Sequence, residues 1–188
     1  MKVTCINGSP RNNGSSALII DKIIEGVKSE RNIIVKKYCL GDLKINYCVG
    51  CKKCYEDGKC IQCDDFGIIT NDLFDSDLVV IASPSYWGDI TGQLKVFFDR
   101  NTPFCDTNEK RLFYPKNRKG VSVAIRAGQT ERENVHIIQS IEHYFGHLGI
   151  APIANIGISG VNTIQDLYEK EDEILRAFEL GKSIVKIL

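Results

Sequence analysis

Cysteine side chains are concentrated in one short stretch, which runs from Cys48 to Cys63 and reads C-V-G-C-K-K-C-Y-E-D-G-K-C-I-Q-C. Five of the chain's eight cysteines lie in it. Thiolates at such short spacing converge on one centre, which is a metal ion, an iron–sulfur cluster or a disulfide pair. This cysteine loop is therefore the first candidate for chemistry, and the rest of the chain must position it.

The spacing of the loop's thiols favours an iron–sulfur cluster. Cys48, Cys51, Cys54 and Cys60 follow C-x2-C-x2-C-x5-C, and a C-x2-C-x2-C run is typical of [4Fe–4S] ligation with a fourth ligand elsewhere. Cys63 forms a second C-x2-C with Cys60, so the fourth ligand is either of these two. The pairs Cys51/Cys54 and Cys60/Cys63 also suit a structural zinc ion. Free redox-active thiols are the third interpretation.

Length and charge narrow the class of protein. At 188 residues the chain fits one well-cored domain, and its 24 Lys and Arg residues equal its 24 Asp and Glu residues. This neutral balance argues against nucleic acid or an anionic membrane surface as partner. The N-terminus lacks a signal-peptide pattern, and no apolar run approaches membrane-spanning length. We expect a cytoplasmic protein, in which clustered cysteines are ligands or redox groups rather than structural disulfides.

Apolar runs that predict strands alternate with segments of helical periodicity. The predicted strands are Val3–Asn7, Asn32–Tyr38, Asp77–Ser83, Gly120–Arg126 and Ala151–Ile158. The predicted helices are Ala17–Val27, Asp65–Phe74, Thr91–Asp99, Glu131–Leu148 and a helical region over Thr163–Leu188. Asn101–Lys119 has no clear period and is predicted to be a long loop, either a lid or an oligomer arm. The alternation predicts an α/β three-layer sandwich with a parallel five-stranded sheet, in a single domain over residues 1–188.

The loop Gly8–Ser16 has the chemistry of an anion cradle. It lies between a strand and a helix N-terminus, where free N–H groups and the helix dipole favour phosphate. It lacks both G-x-G-x-x-G and the G-K-[ST] ending of a P-loop. A capped helix after a tight turn is the alternative. The candidate binding residues are Ser9, Arg11, Asn13, Gly14, Ser15 and Ser16.

A second candidate loop follows the third predicted strand and reads P-S-Y-W-G. Its aromatic side chains supply flat apolar surface, and its backbone N–H groups supply donors for the polar edge of a planar ligand. The alternative is an aromatic turn packed on the core. The candidate residues are Pro84, Ser85, Tyr86, Trp87 and Gly88, with Ala127 and Gly128 after the fourth strand as a third wall.

Two motifs resemble a known family. G-S-P-R-x-x-G-x-S after the first strand and P-S-Y-W-G-D-I-T-G-Q-L-K-V-F-F-D-R over Pro84–Arg100 are similar to the NAD(P)H-dependent FMN reductases of the flavodoxin-like fold. The resemblance implies strand order 2-1-3-4-5 and one FMN per site. It places the FMN phosphate at Ser9, Arg11, Ser15 and Ser16, and the pyrimidine edge of the flavin near the loop after strand four.

The cysteine loop resembles that of the iron–sulfur flavoproteins, a branch of the same family. The resemblance implies a [4Fe–4S] cluster on Cys48, Cys51, Cys54 and Cys60, in a homodimer or homotetramer. Electrons would pass between FMN, the cluster and a partner such as ferredoxin, NAD(P)H or a quinone. Two alternatives stay open: a cluster-free NAD(P)H-dependent FMN or quinone reductase, and a flavodoxin-like electron carrier that is not an enzyme.

Three other cysteines and two histidines complete the candidates. Cys5 and Cys39 lie where small buried residues are expected, and Cys105 falls in the long loop. His143 and His147 share a helix face at i, i+4, but the sequence E-H-Y-F-G-H is not a zinc-protease motif. With no further ligand evident, these histidines are predicted to be surface or packing residues.

Overall fold

The computed structural model describes residues 1–111 and 117–188. Residues 112–116, part of the predicted loop Asn101–Lys119, lie outside the described residues. The strands are β1 (Lys2–Asn7), β2 (Ile34–Cys39), β3 (Leu78–Pro84), β4 (Lys119–Ile125) and β5 (Ala151–Ile158). All pairs are parallel, and the order is β2-β1-β3-β4-β5. The predicted flavodoxin-like sheet is therefore confirmed.

Helices connect successive strands, as a parallel sheet requires. They are α1 (Ser15–Glu30), α2 (Cys54–Asp57), α3 (Phe66–Asp75), α4 (Gly92–Arg100), α5 (Arg132–His147), α6 (Ile164–Tyr168) and α7 (Glu171–Ile184). No helix among the described residues is long and apolar enough to cross a bilayer.

The sheet separates two apolar cores. One core joins α1 and α7 to one face, and the other joins α3, α4 and α5 to the opposite face. Residues 78–82 of the central strand β3 are fully buried, which is why their sequence is a continuous apolar run rather than an alternating one.

Two glycines let α1 and α7 touch backbone to backbone. A Cβ on Gly26 would lie 2.0 Å from the Phe178 carbonyl oxygen, and one on Gly181 would lie 2.0 Å from the Ile23 carbonyl oxygen. No side chain fits there, because real Cβ atoms do not approach other atoms within 3.0 Å. The pair therefore fixes the position of α7 against α1.

Some boundaries differ from the prediction. The predicted helical region Thr163–Leu188 divides into α6 and α7, because Lys170 is not helical (φ −106°, ψ 60°). Thr163 begins α6 through a capping box with Asp166. A 3-10 turn over Thr102–Phe104 lies within the predicted long loop, and β4 begins at Lys119, the last residue assigned to that loop.

Candidate cofactor and cluster site

The anion loop leaves β1 in a conformation set by its own polar groups. The Ser9 N–H donates to Asn7 Oδ1 at 3.0 Å, and the Arg11 N–H donates to Ser9 Oγ at 3.1 Å. A Cβ on Gly8 would lie 3.0 Å from the Ala82 carbonyl oxygen of β3, so a larger residue would require its neighbours to shift by a few tenths of an ångström. Thr91 Oγ1 donates to the Gly8 carbonyl at 2.6 Å. The loop is thus fixed before any ligand binds.

The N-terminus of α1 is open to an anion. Gly14 occupies the cap position with extended backbone, no side chain among the described residues caps the helix, and its first turn carries no acidic residue. Ser16 is buried in that turn. The first N–H groups of a 16-residue helix, together with its dipole, therefore face the loop without a competing acceptor.

The loop after β5 contributes to this cradle and was missed by the sequence interpretation. Arg11 Nη1 donates to the Asn162 carbonyl at 3.3 Å, and Ser15 Oγ donates to the Thr163 carbonyl at 3.2 Å. Val161 and Asn162 line the same pocket as the anion loop. The predicted parallel sheet could have indicated this loop, because the carboxyl ends of all its strands lie at the edge where ligands bind.

The aromatic loop is a tight two-residue turn with a left-handed backbone. Tyr86 and Asp89 exchange N–H···O bonds of 2.9 and 3.2 Å, while Trp87 (φ 56°) and Gly88 (φ 78°) form the turn between them. A left-handed tryptophan is strained, and strain of this kind concentrates at functional sites. The Trp87 side chain is fully exposed and Tyr86 is 45% exposed, so the turn presents two aromatic faces to solvent.

Hydrogen bonds from α5 and β4 hold this turn in place. The Ser85 N–H donates to the Ile125 carbonyl at 2.7 Å, and Ser85 Oγ donates to Glu133 Oε2 at 2.9 Å. Glu133 also pairs with Arg126 at 3.2 Å. A carboxylate of α5 therefore ties together the loops that follow β3 and β4.

Most of the predicted binding residues meet in one pocket. It is lined by Ser9, Arg11, Gly14, Ser15, Ser16, Pro84, Ser85, Tyr86 and Ala127. Four of the predicted residues are not in its lining: Asn13, Trp87, Gly88 and Gly128. Asn13 instead lines a separate cavity beside β2, and the Gly128 carbonyl accepts from the Gly160 N–H at 2.9 Å.

A buried ion pair closes the neck of the cysteine loop. Arg100 Nη1 and Nη2 donate to Asp64 at 2.6 and 3.1 Å, and Nη1 also donates to the Asn46 carbonyl at 2.8 Å. The Asn46 N–H donates to Asp64 Oδ2 at 3.0 Å. The guanidinium lies over the Phe66 ring at 4.7 Å. Both side chains are at most 5% exposed, so the two ends of the loop are fastened to the last residue of α4.

The ion pair shifts the pKa values of both Asp64 and Arg100. Burial opposes the charged form of Asp64, but hydrogen bonds from Arg100 and from the amides of Asn46 and Phe66 hold its pKa below the ordinary value. Burial likewise opposes the charge on Arg100, but its pKa is raised by Asp64 and by the thiol of Cys60. The guanidinium of Arg100 therefore stays charged, paired with Asp64 and next to the thiol of Cys60.

Other thiols of the loop affect the pKa of Cys54. Burial raises the pKa of Cys54, and the charges of Cys60, Cys48 and Cys51 raise it further. Cys54 and Cys60 are half-buried, whereas Cys48, Cys51 and Cys63 are exposed. Asn108 Nδ2 donates to the Cys54 carbonyl at 2.9 Å, which anchors α2. A bound cationic centre would neutralise the thiolates and relieve this mutual repulsion.

The two parts of the site lie at opposite ends of α4. The aromatic turn leads into Thr91, whose hydroxyl caps the helix, and Arg100 at the other end holds the cysteine loop. Nine helical residues span about 13 Å at 1.5 Å per residue. The helix therefore sets the separation between the two regions.

A parallel sheet with an open helix N-terminus and an aromatic turn at its carboxyl edge defines a flavodoxin-like flavin-binding protein. The sequence profile described as NADPH-dependent FMN reductase matches residues 1–160. The chain belongs to this family, and it is a flavin-dependent oxidoreductase.

Known proteins agree with this assignment. An iron–sulfur flavoprotein of Methanocaldococcus jannaschii is 30% identical over 194 residues, covering 100% of this chain and 97% of the relative. An iron–sulfur flavoprotein of Archaeoglobus fulgidus is 34% identical over 135 residues, covering 72% of this chain and 59% of the relative. The NAD(P)H:quinone oxidoreductase of Methanothermobacter marburgensis shares the fold, with a TM-score of 0.73 and 15% identity over 98% of this chain and 96% of that one.

Proposed function

We propose that this oxidoreductase is an iron–sulfur flavoprotein, in which FMN and a [4Fe–4S] cluster exchange electrons with a redox partner. FMN supplies one- and two-electron chemistry, and the cluster supplies one-electron steps. The observation that carries the proposal is the C-x2-C-x2-C-x5-C spacing of Cys48, Cys51, Cys54 and Cys60, in a loop held at its neck by the buried Arg100–Asp64 pair. The names of the two curated relatives support the same conclusion.

The chemistry of the cradle fits the phosphate of FMN. Ser9, Ser15, Ser16 and Arg11 supply donors at the open N-terminus of α1. The turn at Tyr86 and Trp87 supplies aromatic surface for the ring, and Pro84, Ser85, Gly88, Ala127 and Gly128 complete the proposed contacts. Asn13 is the least supported member of this set, because it lines a different cavity.

The spacing of the loop's cysteines along the chain favours a cluster over zinc. Cys48, Cys51 and Cys54 form a C-x2-C-x2-C run, which is typical of [4Fe–4S] ligation. A cubane cluster binds each thiolate to a different iron.

The extent of the domain, the location, the assembly and the redox partners are proposed from the same motifs. We take residues 1–188 as one FMN-binding domain with the cluster loop at 48–63, acting in the cytoplasm as a homodimer or homotetramer. Ferredoxin, NAD(P)H and quinones are the proposed classes of electron donor and acceptor. Exposed Tyr47, Val49, Ile61 and Trp87 around the two loops support an apolar contact with such a partner or a second copy.

Anaerobic purification of the full chain tests the proposal. We expect FMN near one per chain, iron and sulfide near four per chain, and a visible absorption shoulder that dithionite bleaches. Protein with FMN but without iron or sulfide, and with undiminished NAD(P)H:quinone turnover, would identify the cluster-free reductase instead. Zinc in place of iron and sulfide, lost when Cys51 is changed to serine, would contradict the cluster.

A further inference from the structure

Three potential metal ligands converge outside the flavin and cysteine-loop regions. The His147 Nδ1 atom lies 2.6 Å from Asp106 Oδ1 and 3.6 Å from Cys105 Sγ, and Cys105 Sγ lies 3.3 Å from Asp106 Oδ1. The three ligand atoms all lie within 4.8 Å of one another. Sulfur, nitrogen and oxygen of these three kinds are the ligands that zinc prefers in proteins.

The backbone holds these three residues together. The Asp106 N–H donates to the His147 carbonyl at 3.1 Å, which fastens the loop to the C-terminal end of α5. The Cys105 N–H donates to the Thr102 carbonyl at 3.3 Å, and the Cys105 carbonyl accepts from the Asn108 N–H at 2.9 Å. The convergence therefore follows from main-chain contacts as well as from the orientation of flexible side chains.

His143 lies where an orienting partner of a metal-bound histidine is expected. Its Nε2 atom is 3.1 Å from Nε2 of His147, one turn along α5. A histidine that binds a metal through Nδ1 carries its proton on Nε2 and usually donates it to a second group. A neutral His143 with a free Nε2 lone pair would accept this hydrogen bond, which would hold His147 in the tautomer that leaves Nδ1 free for the cation.

One side of the convergence opens into a cavity of about 380 Å³. Cys105, His143 and His147 form part of its wall, together with the stacked rings of Phe98 and Tyr144. Three protein ligands leave one position of a tetrahedral ion vacant, and here that position has room for water or a small molecule. A purely structural site would be closed by a fourth side chain.

We propose that Cys105, Asp106 and His147 bind a divalent cation of the zinc class, with His143 as a positioning residue and the cavity on its open side. Thiolate and carboxylate together neutralise the ion, and the thiol proton leaves to solvent on binding. The positive charge of Arg111 acts on Asp106 and lowers the affinity without removing a ligand. None of these four residues belongs to the cysteine loop or lines the pocket at the anion loop.

Zinc titration into the full chain tests the site. All five cysteines of the loop are changed to serine (Cys48, Cys51, Cys54, Cys60 and Cys63), so that no loop thiol competes. Calorimetry on this chelator-stripped protein should show one zinc per chain with micromolar or tighter affinity. Cobalt should give a thiolate charge-transfer band that a further Cys105→Ser change removes.

Variants of the histidines separate the site from general surface binding. His147→Gln should weaken zinc binding more than about 100-fold, and His143→Gln about 10- to 100-fold, as loss of an orienting partner does. His136→Gln, on the same helix but not among the proposed ligands, should leave zinc binding unchanged. If His147→Gln does not fold, the exposed Asp106→Asn carries the same test. Failure of the five-serine protein to bind zinc, or equal binding by the His147 and His136 variants, would overturn the proposal.

Discussion

The anion cradle and the cysteine loop are built on different principles. The cradle consists of loops at the carboxyl ends of strands β1, β3 and β5, and its shape follows from the sheet itself. The loop from Cys48 to Cys63 contributes no residue to either apolar core and is closed by one buried ion pair at its neck. We therefore expect changes in the two regions to act separately, with the loop depending on fewer interactions.

The largest expected effect distinguishes Cys60 from Cys63. Cys60→Ser should lower the iron content of anaerobically purified protein at least about tenfold, because a coordinating thiolate is lost. Cys63→Ser should keep iron near the wild-type level. Both should retain FMN, since neither touches the cradle. The measurement is iron and flavin per chain on the same sample, and loss of iron in the Cys63 variant instead would assign the fourth ligand to that residue.

The ion pair at the neck gives the next largest effect. Arg100→Met leaves Asp64 buried without its partner, which should lower the free energy of unfolding by about 3–5 kcal/mol. Lys95→Met removes an exposed pair with Asp99 on the same helix and should cost less than about 0.5 kcal/mol. Urea denaturation of cluster-free protein measures both. Equal costs for the two variants would show that the neck does not depend on this pair.

A change in the anion cradle should weaken FMN binding and leave the iron content unchanged. Ser16→Ala removes a hydroxyl proposed to donate to the phosphate, and hydrogen bonds to charged groups contribute about 1.5–3 kcal/mol. The Kd for FMN should therefore rise about 10- to 100-fold, measured by flavin fluorescence, with iron content unchanged. Ser29→Ala, near the other end of α1, is the control and should bind FMN normally. A parallel fall in iron would mean that the two regions are coupled.

The smallest effect concerns strain in the aromatic turn. A non-glycine residue in the left-handed region costs about 1–2 kcal/mol, and the added freedom of an unfolded glycine offsets about 0.5–1 of this. Because the Trp87 side chain packs on nothing, Trp87→Gly should raise the stability of flavin-free protein by about 0.5–1 kcal/mol. Trp87→Ala keeps the Cβ and should give no such gain. A gain of equal size in both variants would contradict backbone strain as the cause.

The fold was predictable because the sheet is buried on both faces. The apolar run at residues 78–82, which is fully buried, is typical of a strand covered on both faces, and the alternation of strands with helices leaves few topologies. The break at Lys170 was not evident, because both α6 and α7 have helical composition and no proline or glycine separates them.

The site could be predicted where its functional residues lie close together along the chain. The anion loop and the cysteine motif are contiguous, so their residue types and spacing carry the signal. Asn162 and Thr163 meet the anion loop only through sheet order, and Arg100 meets Asp64 across 36 positions of chain. His147 seemed to lack further ligands because Asp106 and Cys105 approach it from 41 and 42 positions away.

The close contact between Gly26 and Gly181 has a consequence for where the protein can be shortened. The family profile ends at residue 160, yet α7, which starts at Glu171, covers the apolar side of α1. A fragment cut at residue 160 would lack α7 and would expose Ile19, Ile23 and Val27 to water. Helix α1, whose first turn faces the anion loop, would then lose the helix that packs against it. We expect such a fragment to aggregate, so the stretch that matches the family profile is shorter than the folding unit.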